Sequence, residues 1–511
     1  MLAPMTRKLR AALVLGAAAL TVSALAPVAE AAPAPAGVVW EDACPAGSPS
    51  GYQCGHLDVP LSYQDPRGAK IRIAVAKLPA SEPWHRAGTV FANPGGPGQR
   101  GRFAPALTPE LHKRFDIVGF DPRGIGASTQ MHCFTDPSQV APLARIVGQF
   151  PMSAEEEQRY LADAKAVTDL CEQNAGPLAN HLSTATVARD LDRLRDAIGE
   201  RKLRYYGLSY GTYLGQVYAN LFPGRVGSLA LDAVDDPVNW ATGYRPADAQ
   251  VPMSVRLGAF RDAQNALKSF FSVCASDVRC AFREPGVDLL AKYNAILDGL
   301  EAGPLTILDP AGVPRRVTYP DAISEIHDAL TSAQNSPALG EFLQALTHPV
   351  STPPIPPSGG MPDMATIDSL LAGGATVCSD AANPHDATVW PGFARLADAQ
   401  GRGFGSNDTY KTIPCATWNV SDADRYAGPW NRSTAPVLLI GNRQGDPETP
   451  YEGAQRTERL LGNARLLTLD TFGHGARGRS ACIDTALDQY FLRGSLPAVG
   501  AVCAPDVGPF G

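Results

Sequence analysis

The feature that most constrains this chain is a short glycine–serine motif at residues 207–211, which reads Gly-Leu-Ser-Tyr-Gly. The residues leading into it, 203–208, have the apolar character of a buried strand, and residues 210–221 have a helical pattern. A G-x-S-x-G sequence between a strand and a helix is typical of a sharp turn that lifts the serine hydroxyl above the carboxyl edge of a sheet. The motif therefore predicts a parallel sheet that presents Ser209 as a candidate nucleophile.

Short apolar strands alternate with helical patterns through much of the chain. The predicted strands are residues 69–77, 88–92, 115–120, 203–208, 226–234, 436–440 and 464–469. Between two of them, apolar residues recur at the spacing of one helix face over 184–198. This alternation favours an α/β protein with a mostly parallel sheet that is covered on both faces.

The alternation fades between residues 241 and 419. This region has helical patterns over 255–273, 287–300 and 320–346 and a Pro/Gly-rich stretch over 349–364. We interpret it as a largely helical cap inserted into the sheet domain. The predicted organisation is a leader over 1–31, the first part of the core over 32–240, the cap over 241–419 and the second part of the core over 420–511.

A serine hydroxyl becomes a strong nucleophile only when a base takes its proton, and the histidine of such a site follows the serine in the chain. Of the nine histidines, His474 follows a late predicted strand and lies between two glycines. His385 is the other candidate, but no strand end precedes it. The carboxylate that orients the histidine is expected on the loop after residues 436–440, where Asp446 is favoured and Glu448 is the alternative.

The negative oxygen that forms during acyl transfer requires backbone N–H donors placed in advance. One donor is expected from Tyr210, the residue after the nucleophile. The other is expected from Gly96 in the turn Asn-Pro-Gly-Gly-Pro-Gly at residues 93–98, which follows an earlier strand. Alone, this turn would be unremarkable; its place before the serine motif makes it a candidate oxyanion hole.

The N-terminus has the pattern of an export signal. Basic residues at 7, 8 and 10 precede an apolar run, and Ala-Glu-Ala at 29–31 is typical of a cleavage site. The alternative is an N-terminal membrane anchor, but the apolar run is shorter than the ~20 residues that a span requires. We therefore expect an extracellular protein, either free or at the cell wall.

Export makes the cysteine count informative, because disulfides persist outside the cell. The ten cysteines are Cys44, Cys54, Cys133, Cys171, Cys274, Cys280, Cys378, Cys415, Cys482 and Cys503. Pairing neighbours in chain order gives 44–54, 133–171, 274–280, 378–415 and 482–503, although sequence alone leaves the connectivity open.

Charge and motif content exclude several functional classes. A net charge of −7 without a basic run in the mature part argues against nucleic-acid binding. The sequence contains neither a C-x-x-C nor an H-E-x-x-H motif, which argues against a redox or zinc-protease site. The predicted chemistry needs no metal or organic cofactor, and the oligomeric state is left open.

Several segments in order resemble one known family. They are 54–55 with 59–63, then 93–98, 115–128, 188–199, 207–215, 414–418 and 446–451. Together they resemble the secreted tripeptidyl aminopeptidases and mycelial serine proteinases of actinobacteria, which are prolyl-aminopeptidase-like α/β-hydrolases. The resemblance implies an α/β-hydrolase fold with a cap. It also implies a serine exopeptidase that releases short peptides, tripeptides above all, from substrates with a free N-terminus. The turn at 93–98 departs from the family by continuing with Gln99-Arg100-Gly101, which puts the fine substrate preference in doubt.

An aminopeptidase must bind a substrate ammonium group, and a buried cation requires a carboxylate partner. Asp380 is the first candidate because the expected 378–415 disulfide would hold it near the junction of cap and core. Asp235 and Asp236 at the end of a predicted strand are the others. Two alternative functions remain: the same serine machinery acting on esters or other acyl substrates, and a non-catalytic peptide- or cell-wall-binding protein on a hydrolase scaffold.

Overall fold

A 10-stranded sheet forms the centre of the molecule, in a computed structural model that describes residues 37–354, 362–433 and 435–511. The predicted leader over 1–31 lies outside these residues. The strands of the sheet are β1 (Val39–Trp40), β2 (Gln53–Pro60), β3 (Lys70–Leu78), β4 (Gly88–Asn93), β5 (Phe115–Phe120), β6 (Leu203–Leu208), β7 (Val226–Asp232), and later β10 (Val437–Asn442), β11 (Ala464–Leu469) and β12 (Val502–Cys503). A separate hairpin is formed by β8 (Leu305–Leu308) and β9 (Pro314–Val317).

The strand order is β1-β2-β3-β5-β4-β6-β7-β10-β11-β12. The seven strands β5, β4, β6, β7, β10, β11 and β12 pair in parallel in this order. Strands β1, β2 and β3 form an antiparallel edge, in which β3 pairs with β5. The central strands β4 and β5 are buried along their whole length, which explains their continuous apolar runs. The predicted α/β class with a mostly parallel sheet is confirmed.

Helices cover both faces of this sheet and form most of the region between β7 and β10. They are α1 (Pro109–Arg114), α2 (Ala141–Ile146), α3 (Ala154–Asn174), α4 (Thr184–Ala197), α5 (Tyr210–Leu221), α6 (Pro237–Ala241), α7 (Met253–Leu257), α8 (Ala259–Ser276), α9 (Leu289–Ala302), α10 (Tyr319–Leu330), α11 (Ser336–Leu346), α12 (Met364–Asp380), α13 (Trp390–Asp398), α14 (Phe404–Lys411), α15 (Pro414–Thr417), α16 (Tyr451–Leu461) and α17 (Ala481–Arg493). Val90 and Ala92 of β4 belong to the apolar cluster with α1 and α17, and Phe91 belongs to the cluster with α4 and α5. This alternation follows from the two-residue period of a strand.

The region between β7 and β10 is helical apart from the β8–β9 hairpin, which the sequence patterns did not indicate. The helical pattern expected over 320–346 is divided into α10 and α11 by a short turn at Ala333–Asn335. A helix that precedes the serine motif also packs here: α3 contacts α15, and the Thr168 and Thr417 hydroxyls lie 2.8 Å apart. From residue 37 onward the chain clusters into one compact unit, so the division at 241 and 419 remains a prediction.

All ten cysteines form disulfides within the described residues. The bonds are 44–54, 133–171, 274–280, 378–415 and 482–503, the same neighbours that chain order pairs. The third and fourth lie between β7 and β10, and the fifth joins α17 to β12. No helix of the described residues is long and apolar enough to cross a membrane.

Candidate active site

Ser209 occupies a strained turn between β6 and α5. Its φ is 57°, a left-handed conformation that non-glycine residues rarely adopt. The flanking glycines leave room for this turn. A Cβ on Gly207 would overlap the carbonyl oxygen of Gly211, and a Cβ on Gly211 would lie 2.8 Å from the carbonyl oxygen of Asn93. The motif therefore permits a close strand-to-helix approach that places the serine at the carboxyl end of β6.

His474 and Asp446 lie on the loops that follow β11 and β10. The Nδ1 atom of His474 is 2.9 Å from Oδ1 of Asp446 and 3.2 Å from Oδ2. Asp446 is fully buried, and it also accepts hydrogen bonds from the N–H groups of Glu448 and Thr449 and from the Thr449 hydroxyl. These donors fix the carboxylate, so that Nδ1 faces Asp446 and Nε2 is left for another partner.

Asp232, at the end of β7, links the turn that carries Ser209 (the serine turn, residues 207–211) to the loop that carries His474 (the histidine loop, residues 470–480). Its carbonyl oxygen accepts the N–H of Ser209 at 3.0 Å. Its carboxylate accepts the N–H groups of Ala476 and Arg477 and the hydroxyl of Tyr206, all at 2.8 to 3.1 Å. Sequence reasoning missed this residue, and its only signal is a carboxylate within an otherwise apolar strand.

The histidine loop is pressed against the serine turn. A Cβ on Gly475 would lie 2.9 Å from Cδ1 of Leu208, the residue before the serine. On the other side, the side-chain amide of Asn442 donates to the carbonyl oxygens of Gly473 and Gly475. Both glycines have positive φ, so the residues around His474 suit this tight loop.

We expect replacement of Asp232 by asparagine to lower the free energy of unfolding by about 2 kcal/mol, because hydrogen bonds to a charged acceptor contribute about 1.5–3 kcal/mol. Urea denaturation measures this loss. Tyr206→Phe, which removes one of the three donors, is the graded control, with an expected loss of about 1 kcal/mol. Equal stabilities of the wild type and the asparagine variant would contradict the linking role.

Burial and charge oppose each other at His474. Burial alone would lower the pKa of the imidazole, because it disfavours the charged form. The carboxylates of Asp446, Glu448 and Asp235 outweigh burial and raise the pKa of His474 to about 9. The surroundings therefore stabilise an imidazolium, the form that the histidine takes after it accepts a proton.

The glycine-rich turn after β4 lies directly against the serine. A Cβ on Gly95 would come within 2.9 Å of the Ser209 Cβ, and Gly95 and Gly96 both have positive φ. In the described part of the chain, the N–H groups of Gly96 and Tyr210 have no protein acceptor. Two free donors beside the serine are what an oxyanion hole requires.

Ser209 opens into a cavity of about 270 Å³. Gly96 lies in its wall together with four charged residues, Asp235, Asp408, Lys411 and Glu448. Lys411 Nζ is 3.3 Å from Asp408 and 4.0 Å from Glu448. Burial would raise the pKa of Glu448, but Lys411, His327 and His474 lower it to about 2. Lys411 therefore has carboxylate partners within the protein.

Among the described residues, Asp235 is the cavity carboxylate for which no side-chain hydrogen bond or ion pair is found. It is 4% exposed, and among the described residues no donor is paired with its carboxylate oxygens. Burial raises its pKa to about 8, although the nearby His474 opposes this shift. A cation that enters the cavity therefore stabilises the charged form of this carboxyl group.

The two other candidate amine ligands are engaged elsewhere. Asp380 accepts hydrogen bonds from the N–H and hydroxyl of Thr184 at 2.8 and 2.6 Å, at the start of α4. Asp236 caps α6 and forms an ion pair of 2.7 Å with Arg456. Neither lines the cavity of Ser209, because each turns toward a helix terminus or a cation.

The alternative base and acid lie in other settings. His385 is exposed and does not line the cavity of Ser209. Glu448 points into the cavity near Lys411 and makes no hydrogen bond to His474 among the described residues. In the described part of the chain, no group of three or more His, Cys, Asp or Glu residues is placed to hold a metal ion.

Comparison with known proteins identifies the family of this chain. A family profile described as "alpha/beta hydrolase fold" matches residues 88–274, and one described as "TAP-like protein" matches residues 401–503. Tripeptidyl aminopeptidase of Streptomyces coelicolor is 30% identical across 95% of this chain and 89% of its own length. The chain belongs to the tripeptidyl aminopeptidase family of α/β-hydrolases.

Other proteins that are similar to this chain have different names. Serine protease Hip1 of Mycobacterium tuberculosis is 29% identical over 89% of this chain and 88% of its own length. Carboxylesterase B of the same species is 29% identical over 89% of this chain and 86% of its own length. Membership of the tripeptidyl aminopeptidase family confirms the resemblance and the prediction that the chain is an enzyme, a serine hydrolase.

Proposed function

We propose that this chain is a secreted serine exopeptidase that releases short peptides, tripeptides above all, from the free N-termini of peptide substrates. Ser209 attacks the scissile carbonyl, and Nε2 of His474 takes the hydroxyl proton. Asp446 holds the imidazole tautomer and stabilises the imidazolium. The N–H groups of Gly96 and Tyr210 bind the negative oxygen of the tetrahedral intermediate.

The second half of the reaction reverses the proton path. The imidazolium of His474 donates its proton to the leaving amine as the scissile C–N bond breaks. The N-terminal part of the substrate remains bound to Ser209 as an ester. Water then attacks this ester while His474 again acts as the base. The chain's own groups supply every step, and no metal or cofactor takes part.

The aminopeptidase assignment is carried by one observation, the unpartnered Asp235 carboxylate in the cavity of Ser209. A substrate ammonium would supply the missing counter-charge and offset the cost of burying the carboxylate. A neutral ester would leave that cost uncompensated. Asp235 is therefore the proposed amine ligand, and Asp380 and Asp236 are assigned to holding helix termini.

The direct test compares tripeptide anilides that have free and acetylated N-termini. Preferential cleavage of the free form supports the proposal. Equal rates on both forms would contradict binding of the substrate amine, and hydrolysis of simple esters without cleavage of the free anilides would favour the esterase alternative suggested by the name of one relative. The products from an unblocked decapeptide then show how many residues each cleavage releases.

We expect Asp235→Asn to lower kcat/KM for free tripeptide anilides by about 10- to 100-fold, since a charge-assisted contact is worth about 1.5–3 kcal/mol. The loss should be absent for acetylated substrates, which bring no cation. Asp236→Asn is the matched control, because it removes an adjacent carboxylate outside the cavity. An equal loss on free and acetylated substrates in Asp235→Asn would contradict amine binding.

The same Asp235→Asn variant should shift the pH dependence of Ser209. Asp235 is one of the carboxylates that raise the pKa of His474, so its neutralisation lowers that pKa. Because His474 must be neutral to act as a base, the acid limb of reactivity moves to lower pH. The rate of fluorophosphonate labelling against pH measures this shift without a substrate amine.

Export is part of the proposal. The five disulfides suit an oxidising compartment. Mass spectrometry of the protein from culture fluid should give a mature N-terminus near residue 32. Recovery of the intact leader from the cell interior would contradict export.

A further inference from the structure

A second cavity adjoins the cavity of Ser209. Its volume is about 390 Å³, and its lining is predominantly apolar. The wall includes Leu143 and Ile146 of α2, Val167 of α3, Leu371 of α12 and Tyr410 of α14. The proposed chemistry does not use this space.

Four residues line both cavities, namely Gly374, Cys378, Lys411 and Pro414. The two cavities therefore share a wall formed by these residues. The charged border residue, Lys411, already has Asp408 as its partner.

Helix α12 places a pair of glycines at this point, and the two have different surroundings. A Cβ on Gly373 would overlap the carbonyl oxygen of Pro97, so this glycine lets α12 pack against the turn that carries Gly96. A Cβ on Gly374 would meet nothing within 4 Å. Packing thus explains Gly373, whereas Gly374 leaves the border between the two cavities open.

Volume indicates what the second cavity receives. Small-ligand sites are typically about 300–1,000 Å³. The cavity of Ser209, at about 270 Å³, lies just below that range, and four of its lining residues are charged. A peptide with a large apolar side chain therefore needs further room, and the adjoining apolar walls provide it.

We propose that the second cavity is a specificity subsite for an aromatic or branched aliphatic side chain of the released peptide, and that Gly374 keeps the passage to it open. This inference rests on the proposed function. Burial of such a side chain removes apolar surface from water and so favours large apolar residues at one substrate position.

The test uses free tripeptide anilides: all-alanine, and three in which phenylalanine replaces one alanine. Wild-type enzyme should prefer one phenylalanine position by about tenfold or more. Gly374→Leu should abolish this preference, because it should lower kcat/KM for the preferred phenylalanine substrate by about tenfold more than kcat/KM for the all-alanine substrate. Gly374→Ala introduces a smaller side chain and should cause an intermediate loss of the phenylalanine preference. This variant provides the test if Gly374→Leu folds poorly.

Gly392→Leu is the matched control, because Gly392 also lies in a helix, α13, where a Cβ meets nothing within 4 Å. It lines neither cavity and should leave the phenylalanine preference intact. Absence of a preference in the wild type, or an equal effect of Gly374→Leu on all four substrates, would overturn the subsite. Selective loss of octanoyl-ester hydrolysis would assign the cavity to acyl chains and would also overturn it.

Tripeptidyl diphenyl phosphonates with the same side chains separate this inference from the proposed function. They react with Ser209 without any turnover of an amide. If the wild type cleaves no free tripeptide anilide, the exopeptidase proposal fails, while the phosphonate rates still decide the subsite. A phenylalanine preference among the phosphonates that Gly374→Leu removes would support it, and an unchanged preference would refute it.

Discussion

Replacement of Ser209 by alanine is expected to lower kcat by about 10⁶-fold, the loss typical of a serine-hydrolase nucleophile. The Ser209 hydroxyl is the group that forms the acyl-enzyme. The measurement is turnover of a free tripeptide anilide, together with labelling by a fluorophosphonate. Labelling should disappear in the variant.

Ser254 offers a matched control within the same cavity. Its hydroxyl lies 2.9 Å from that of Thr412, and it also lines the space around Ser209. Ser254→Ala should retain labelling and keep kcat within a few-fold of the wild type. Labelling that persists in Ser209→Ala would place the nucleophile elsewhere, and absence of labelling in the wild type would favour a non-catalytic binding protein.

Replacement of Asp446 by asparagine is expected to lower kcat by about 10⁴-fold. An asparagine amide does not stabilise the imidazolium, and it can present an N–H where His474 Nδ1 needs an acceptor. The altered hydrogen bond favours the wrong tautomer, so that Nε2 carries a proton and cannot act as the base. The loss should fall on kcat and leave KM nearly unchanged.

Glu448→Gln is the control that decides between the two acids of this loop. Glu448 lines the cavity but makes no hydrogen bond to His474 among the described residues, so its loss should reduce kcat by less than about tenfold. A loss of about 10⁴-fold in Glu448→Gln with a near-normal Asp446→Asn would reverse the assignment. Thermal unfolding of both variants checks that the fold is retained.

Local sequence patterns were sufficient for the elements around the nucleophile. The strand over 203–208 and the helix over 210–221 are present with the expected limits, because burial and turn chemistry act over a few residues there. The hairpin of β8 and β9 was missed, since its four-residue strands carry too short an apolar pattern. Likewise, one helical pattern over 320–346 did not reveal the turn that divides it.

In the candidate site, too, some residues could be identified from the sequence and others only from the structure. Order along the chain and strand-end position singled out Ser209, His474 and Asp446, and the structure brings the last two within hydrogen-bond distance. The choice among acidic residues for the amine was different. The sequence favoured Asp380, whereas the structure leaves Asp235 free beside the serine and pairs Asp380 with α4.

The sequence by itself determined the family, the fold class and the residues suited to acyl transfer, because these depend on periodicity, turn chemistry and ordered motifs. Only the tertiary structure decided which carboxylates are partnered, how Asp232 holds the loop that carries His474, and that Gly374 lies on the border of two cavities. Burial and hydrogen bonding depend on residues far apart in the chain. A carboxylate at a strand end therefore has the same local pattern whether it caps a helix or faces a substrate.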